Sequence, residues 1–201
     1  MKILCYGDSN TWGYVPNKNG YKKDAVVKQF KNSDCWWHDL TKDNQVFVDG
    51  LCGRCVAHEN KWLVGRNALT TVVEDLKKYN NLDLVIVQLG TNDCKSEYND
   101  SPQTITKNLQ TLLKTIENIT KAQIVVISPA IIQENNIITQ KFYVGAQEKS
   151  FKLDGLLKSM ATKNGYGFVS GVDLDVGEDG EHLTKQGHKK LGEKIKMCVN
   201  L

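Results

Sequence analysis

No apolar run in this 201-residue chain approaches the roughly 18 residues that a membrane-crossing helix requires, so a membrane protein is not expected. Nor is a secretory leader expected: Met1-Lys2-Ile3-Leu4-Cys5-Tyr6 runs into Gly7 before a signal-peptide core can form, and a cytoplasmic location is the expectation. There is no dense basic tract. Lys+Arg number 26 against 23 Asp+Glu, a net charge of +3, so neither nucleic acid nor a membrane surface is expected as a partner. The chain has no repeat, low-complexity tract or Pro/Gly-rich linker, which predicts one domain over residues 1–201. Its glycine turns match neither G-x-x-x-x-G-K-[ST] nor G-x-G-x-x-G, so a phosphate cradle has no sequence support. Cysteine is not scarce, but the six residues are irregularly spaced and read as thiols. Cys52-x-x-Cys55 lacks a second Cys/His pair at ligand spacing, so no metal and no other cofactor is expected.

What remains is an ordinary globular composition, 40% hydrophobic and 24% charged. It suits a self-sufficient core and leaves a homo-oligomer open. Short apolar runs at Ile3 to Tyr6, Val46 to Val48, Leu82 to Leu89 and Ile124 to Ile127 read as strands, with Phe168-Val169 as a fifth. The third is apolar on both alternating faces, as a central parallel strand covered on both sides should be. Helical stripes lie between them. Leu69, Val72, Val73 and Leu76 form one. Ser101 as N-cap and Pro102 in the first turn open a second, which continues through Ile105, Leu109, Leu112 and Ile116. Leu153, Leu156, Leu157 and Met160 form a third that ends before Gly165, and Thr184 opens a last helix carrying Leu191, Ile195 and Cys198. Alternation of this kind predicts an α/β fold with a mostly parallel sheet between helices, whose ligands bind beyond the carboxyl ends of the strands.

Polar residues gather at those ends. Gly7-Asp8-Ser9-Asn10 follows the first strand, and a serine on a tight turn can present its hydroxyl to the crevice. Taken alone, the segment reads more readily as a plain strand-to-loop turn. Gly50-Leu51-Cys52-Gly53-Arg54 follows the second strand and by itself is merely a loop. Gly90-Thr91-Asn92-Asp93 follows the third, where the Asn92 carboxamide could donate to a developing oxyanion or simply make an Asx turn. Asp179-Gly180-Glu181-His182 precedes the last helix. A carboxylate there can orient one ring nitrogen while the other faces a serine.

Together, in this order, the four segments resemble the SGNH (GDSL-like) hydrolase family: Gly7-Asp8-Ser9 its first block, Gly53 the glycine of its second, Gly90-x-Asn92-Asp93 its third and Asp179-x-x-His182 its fifth. The opening Gly-Asp-Ser-Asn-Thr-Trp-Gly and the Leu89-Gly-Thr-Asn-Asp-Cys-Lys segment further resemble the arylesterase and acyltransferase branch. The resemblance implies a flavodoxin-like three-layer α/β/α fold with a central parallel sheet. It also implies an oxyanion hole made by the backbone N–H groups of Ser9 and Gly53 and the side chain of Asn92. The same residues read physically as a serine esterase. Ser9 is the nucleophile, His182 the base that takes its proton, and Asp179 the group that holds the imidazole. Two other readings stand beside it, a carbohydrate acetyl-esterase and a flavodoxin-like module that binds a ligand without turning it over.

Position 10 departs from the family, with Asn where the GDSL name has Leu. The expectation is that little depends on it, because the chemistry does not require that side chain. His188 is expected in the last helix, away from Ser9, and His38 and His58 lack a carboxylate at a comparable offset. Trp12 and Tyr14 suit either a pocket wall or the core. Trp36-Trp37, read as extended backbone, would point to opposite sides, one to the core and one to an interface. Arg54 and Arg66 read as surface or capping residues and receive no role.

Overall fold

The computed structural model describes residues 1–17, 26–61 and 63–199. Five strands, β1 (Lys2–Gly7), β2 (Gln45–Gly50), β3 (Leu84–Gln88), β4 (Gln123–Ile127) and β5 (Gly167–Val169), pair in parallel in the order β2-β1-β3-β4-β5. This is the flavodoxin-like order. β3 lies in the middle with all five residues buried, as its unbroken apolar run predicts. The helices are α1 (Ser9–Trp12), α2 (Ala68–Leu76), α3 (Pro102–Thr120), α4 (Ile137–Phe142), α5 (Ala146–Asn164) and α6 (Lys185–Val199).

Strand alternation builds two cores. Leu4, Tyr6, Val85 and Val87 face one way and pack with Val72 of α2, Leu109 of α3 and Leu157 of α5. Ile3, Cys5, Leu84 and Ile86 face the other way and meet Leu191 and Ile195 of α6. The result is three layers. Truncating a fully buried leucine such as Leu109 to alanine would cost about 2–5 kcal/mol.

Ser101 caps α3 as its sequence predicts, accepting from the Thr104 N–H. Two expectations change. Val73 is 44% exposed and Ala68 joins Val72 and Leu76 on the buried face of α2, because the inward stripe runs at i, i+4 and i+8 from one residue earlier than Leu69. Trp36 and Trp37 are both buried, because the backbone turns there between two 3₁₀ segments, Asn32–Asp34 and His38–Lys42, instead of running extended. Each indole N–H finds an acceptor, Gln88 Oε1 for Trp36 and the Thr11 carbonyl for Trp37. α1 and α4 are too short to show a stripe, and periodicity does not find them.

Candidate active site

The carboxyl edge of the sheet carries the polar residues. β1 runs into α1, whose N-cap is Asp8, its carboxylate accepting from the Asn10 N–H at 2.9 Å. α1 sits so close to the strand ends that a Cβ on Gly7 would lie 2.1 Å from Thr11 Oγ1 and 2.6 Å from the Gln88 carbonyl. Only glycine fits there. The tight turn places Ser9 at the first position of α1, 6% exposed. Burial pushes the Asp8 carboxyl up to about 6, although the Asn10 N–H and the charge of His182 pull the other way.

The loop before α6 brings the second group. His182 Nε2 lies 2.8 Å from Ser9 Oγ, and Nδ1 lies 3.0 Å from Asp179 Oδ2. The Asp179 carboxylate is itself held by three main-chain N–H groups, those of Asn17 (2.9 Å), Glu181 (3.3 Å) and His182 (3.1 Å). With Nδ1 facing a carboxylate, that nitrogen carries the proton and Nε2 is left as an acceptor toward the serine. The Tyr14 ring stacks on the imidazole at 4.1 Å between centroids and restrains its plane. Burial alone would lower the affinity of His182 for a proton. The adjacent Glu181 charge and the Asp179 hydrogen bond outweigh it, so the imidazolium persists above its usual range. Glu181 is buried, and the hydroxyl of buried Tyr143 donates to its carboxylate.

The two remaining loops face the same space. Gly53 has φ +79°, a left-handed conformation that glycine adopts without strain. Asn92 opens a 3₁₀ turn after β3, and its amide donates one N–H to the Arg54 carbonyl at 3.2 Å, leaving the second for another acceptor. Asp93 is fully buried and accepts from the Val56 N–H at 2.9 and 3.0 Å, which ties the Gly53 loop to the Asn92 turn. Its carboxyl is raised by burial to about 6.

Arg54 departs from the surface role expected of it. It is 2% exposed, its guanidinium donating to the Gly7 carbonyl at 2.9 Å and to Asp49 Oδ1 at 2.7 Å while lying 4.1 Å from the centre of the Tyr6 ring. It pins the loop bearing Gly53 to the ends of β1 and β2. No local sequence signal distinguishes it from an exposed arginine. Ser9, Gly53, Asn92 and His182 therefore line one cleft of about 180 Å³, with Tyr14, Cys52, Asn60, Leu63 and Lys95 also on its wall. Asp179 stands behind His182.

Other candidates lie apart. His188 is buried in α6, where Nδ1 accepts from the Trp36 N–H at 3.4 Å, and burial lowers its pKa to about 4. His58 does have a carboxylate, from a distant segment: Nε2 lies 2.6 Å from Asp100 Oδ2, and the ring stacks on Tyr98. Neither histidine lines the cleft. Arg66 donates to the Cys52 and Val64 carbonyls, which shapes the loop between them. Cys55 is buried, and burial pushes the Cys52 thiol up to about 11. Among the described residues, no three His, Cys, Asp or Glu side chains gather as a metal site, and no helix is long and apolar enough to cross a membrane.

Residues 5–190 match the family described as GDSL-like lipase/acylhydrolase. Three solved structures share the fold along the whole chain. An aryl esterase of M. smegmatis is 25% identical with a TM-score of 0.88, covering 100% of this chain and 98% of that one. A carbohydrate acetylesterase of Sinorhizobium meliloti, Est24, gives the same identity, TM-score and coverage. A carbohydrate acetylesterase family member from the same organism is 26% identical with a TM-score of 0.86, covering 100% of both chains. No curated protein matches the chain by sequence.

Proposed function

This chain belongs to the GDSL-like lipase/acylhydrolase family and is an ester hydrolase, and from that premise we propose that it cleaves small carboxylic esters, acetyl and aryl esters among them, through an acyl-enzyme on Ser9. The observation that carries this reading is the continuous run of hydrogen bonds from Ser9 through His182 to Asp179, opening on a cleft that Gly53 and Asn92 also line. As Ser9 Oγ attacks the ester carbonyl, its proton passes to His182 Nε2. Asp179 holds the imidazole in the tautomer that can receive it. The carbonyl oxygen, now anionic, takes hydrogen bonds from the Ser9 and Gly53 N–H groups and the Asn92 amide. His182 returns the proton to the departing alcohol. Water, or a second alcohol where acyl transfer competes, then releases the acyl group by the same steps in reverse order.

The size of the cleft argues for a short acyl group, since about 180 Å³ falls below the roughly 300–1,000 Å³ of pockets for drug-sized ligands. Its wall mixes Leu63 and Tyr14 with Asn60 and Lys95, which suits an aryl or a hydroxyl-bearing alcohol. Aryl acetates, longer p-nitrophenyl esters and acetylated sugars tested side by side are expected to show acetate esters turned over fastest. Acetylated sugars cleaved faster than aryl acetates would make the carbohydrate role the primary one. An inert protein that nonetheless binds such ligands would overturn the proposal.

Two quantitative expectations follow from the site. Asn92→Ala should lower kcat by about 10²–10³ with a smaller change in KM, the loss typical of one oxyanion donor. An effect confined to KM would place Asn92 on the ground-state substrate instead. Because His182 must be neutral to act as base and its neighbours favour the charged form, kcat/KM for a neutral ester should rise with pH through a midpoint above 6.5. Glu181→Gln removes a raising charge and should move that midpoint down. A midpoint that stays put would show that the Glu181 charge is not felt at the ring.

A further inference from the structure

The residue after the nucleophile has two bonds that the proposed mechanism does not use. The Asn10 side chain is 2% exposed and reaches across to the loop before α6, 171 and 173 residues along the chain. Its Oδ1 accepts from the Leu183 N–H at 2.8 Å, and its Nδ2 donates to the Glu181 carbonyl at 3.3 Å. These two groups flank His182. The amide orientation is settled by chemistry, since a main-chain N–H needs an acceptor and a carbonyl a donor. Asn10 is thus hydrogen-bonded to the backbone on both sides of the histidine whose ring reaches Ser9, the residue directly before Asn10.

We propose that Asn10 is a positioning residue that clasps the His182 loop to the nucleophile turn and so sets the spacing between Ser9 Oγ and His182 Nε2. The proposal rests on the assignment of Ser9 and His182 given above. Leucine, the residue in the family's name, fills a similar volume but can make neither bond, so the clasp belongs to this chain's own residue. Other contacts also hold the loop: Asp179 through the Asn17 N–H, the antiparallel bridge between Val176 and Leu183, and the Gln133 N–H donating to the Gly180 carbonyl at 2.8 Å. These keep the loop folded when Asn10 is replaced. Of these contacts only those of Asn10 reach the turn and short helix α1 that carry Ser9.

Proton transfer is sensitive to that spacing, and a misplacement of about 1 Å can cost on the order of 10²-fold in rate. Asn10→Leu in the full-length protein is therefore expected to lower kcat by about 10–10² with KM changed by no more than about twofold. Introduced into His182→Ala, the same substitution should leave the small residual rate nearly unchanged, because the group it positions is gone. Leu157→Ala, a core truncation at a residue that does not line the cleft, serves as the stability control and should keep wild-type kcat below its unfolding temperature. Wild-type kcat in Asn10→Leu would overturn the proposal, as would an undiminished effect in the His182→Ala background or an equal kcat loss in Leu157→Ala. His182→Ala with full turnover would instead overturn the assignment of the base, and the clasp with it, so the two failures are distinguishable.

Discussion

Ser9→Ala is expected to lower kcat by about 10⁶, close to the loss seen when a triad nucleophile is removed elsewhere, while KM changes little. Ser9 Oγ lies 2.8 Å from an imidazole nitrogen whose partner nitrogen is bound to a carboxylate, and the turn that places it there directly follows a buried strand and is capped by Asp8. Removing the hydroxyl deletes the bond-forming atom. It leaves the Gly53 and Asn92 donors in place, so a small residual acceleration from oxyanion binding should survive. A serine-directed phosphonate should label the wild-type protein once, and mass spectrometry should place the adduct on Ser9. An adduct elsewhere, or a Ser9→Ala variant within tenfold of wild type, would remove the nucleophile from the mechanism.

Asp179→Asn should keep the fold and cost about 10⁴ in kcat. One carboxylate oxygen of Asp179 accepts from the Glu181 and His182 N–H groups, so an asparagine oxygen is held there and its NH₂ is turned toward the imidazole. Nδ1 must then become the acceptor and Nε2 carries the proton, facing Ser9 with nothing to receive the serine's own. The same NH₂ would oppose the Asn17 N–H, which now donates to Asp179 Oδ2, so the segment after α1 loses a contact as well. Unchanged circular dichroism with the large kcat loss would separate tautomer control from unfolding. A variant retaining more than a tenth of wild-type kcat would show that His182 finds its orientation without Asp179, for example from the stacked Tyr14 ring.

The sheet was legible because its signals are local. Buried parallel strands need apolar side chains on both faces, and Leu84–Gln88 shows that need within five residues. The α3 cap at Ser101-Pro102 is equally local. The site blocks were found less directly: Gly7-Asp8-Ser9 and Gly90-x-Asn92 read singly as ordinary turns at strand ends, and only their order along the chain, which resembles the SGNH family, marked them. Asp179 and His182 lie three apart, and their pairing too is nearly a property of one loop.

Where the reading failed, the deciding partner was far away along the chain. Arg54 looks like any surface arginine until Gly7, Asp49 and the Tyr6 ring close around it. His58 has no carboxylate nearby in sequence, and its partner Asp100 lies 42 residues later. The partners of Asn10, Glu181 and Leu183, are likewise more than 170 residues away. Buried polar groups must be satisfied, but the sequence does not say by which distant group.

Local pattern therefore determined the strands, the main helices and the α/β class, and the order of the four polar segments, through its resemblance to the SGNH family, supplied the three layers and the site residues. Only the tertiary structure decided how the four loops meet: the 2.8 Å approach of His182 to Ser9, the pinning of the Gly53 loop by Arg54 and Asp93, and the clasp made by Asn10. The physical reason is that periodicity reports which face of an element is buried, whereas a hydrogen bond between loops depends on where chain closure places two groups that share no sequence neighbourhood.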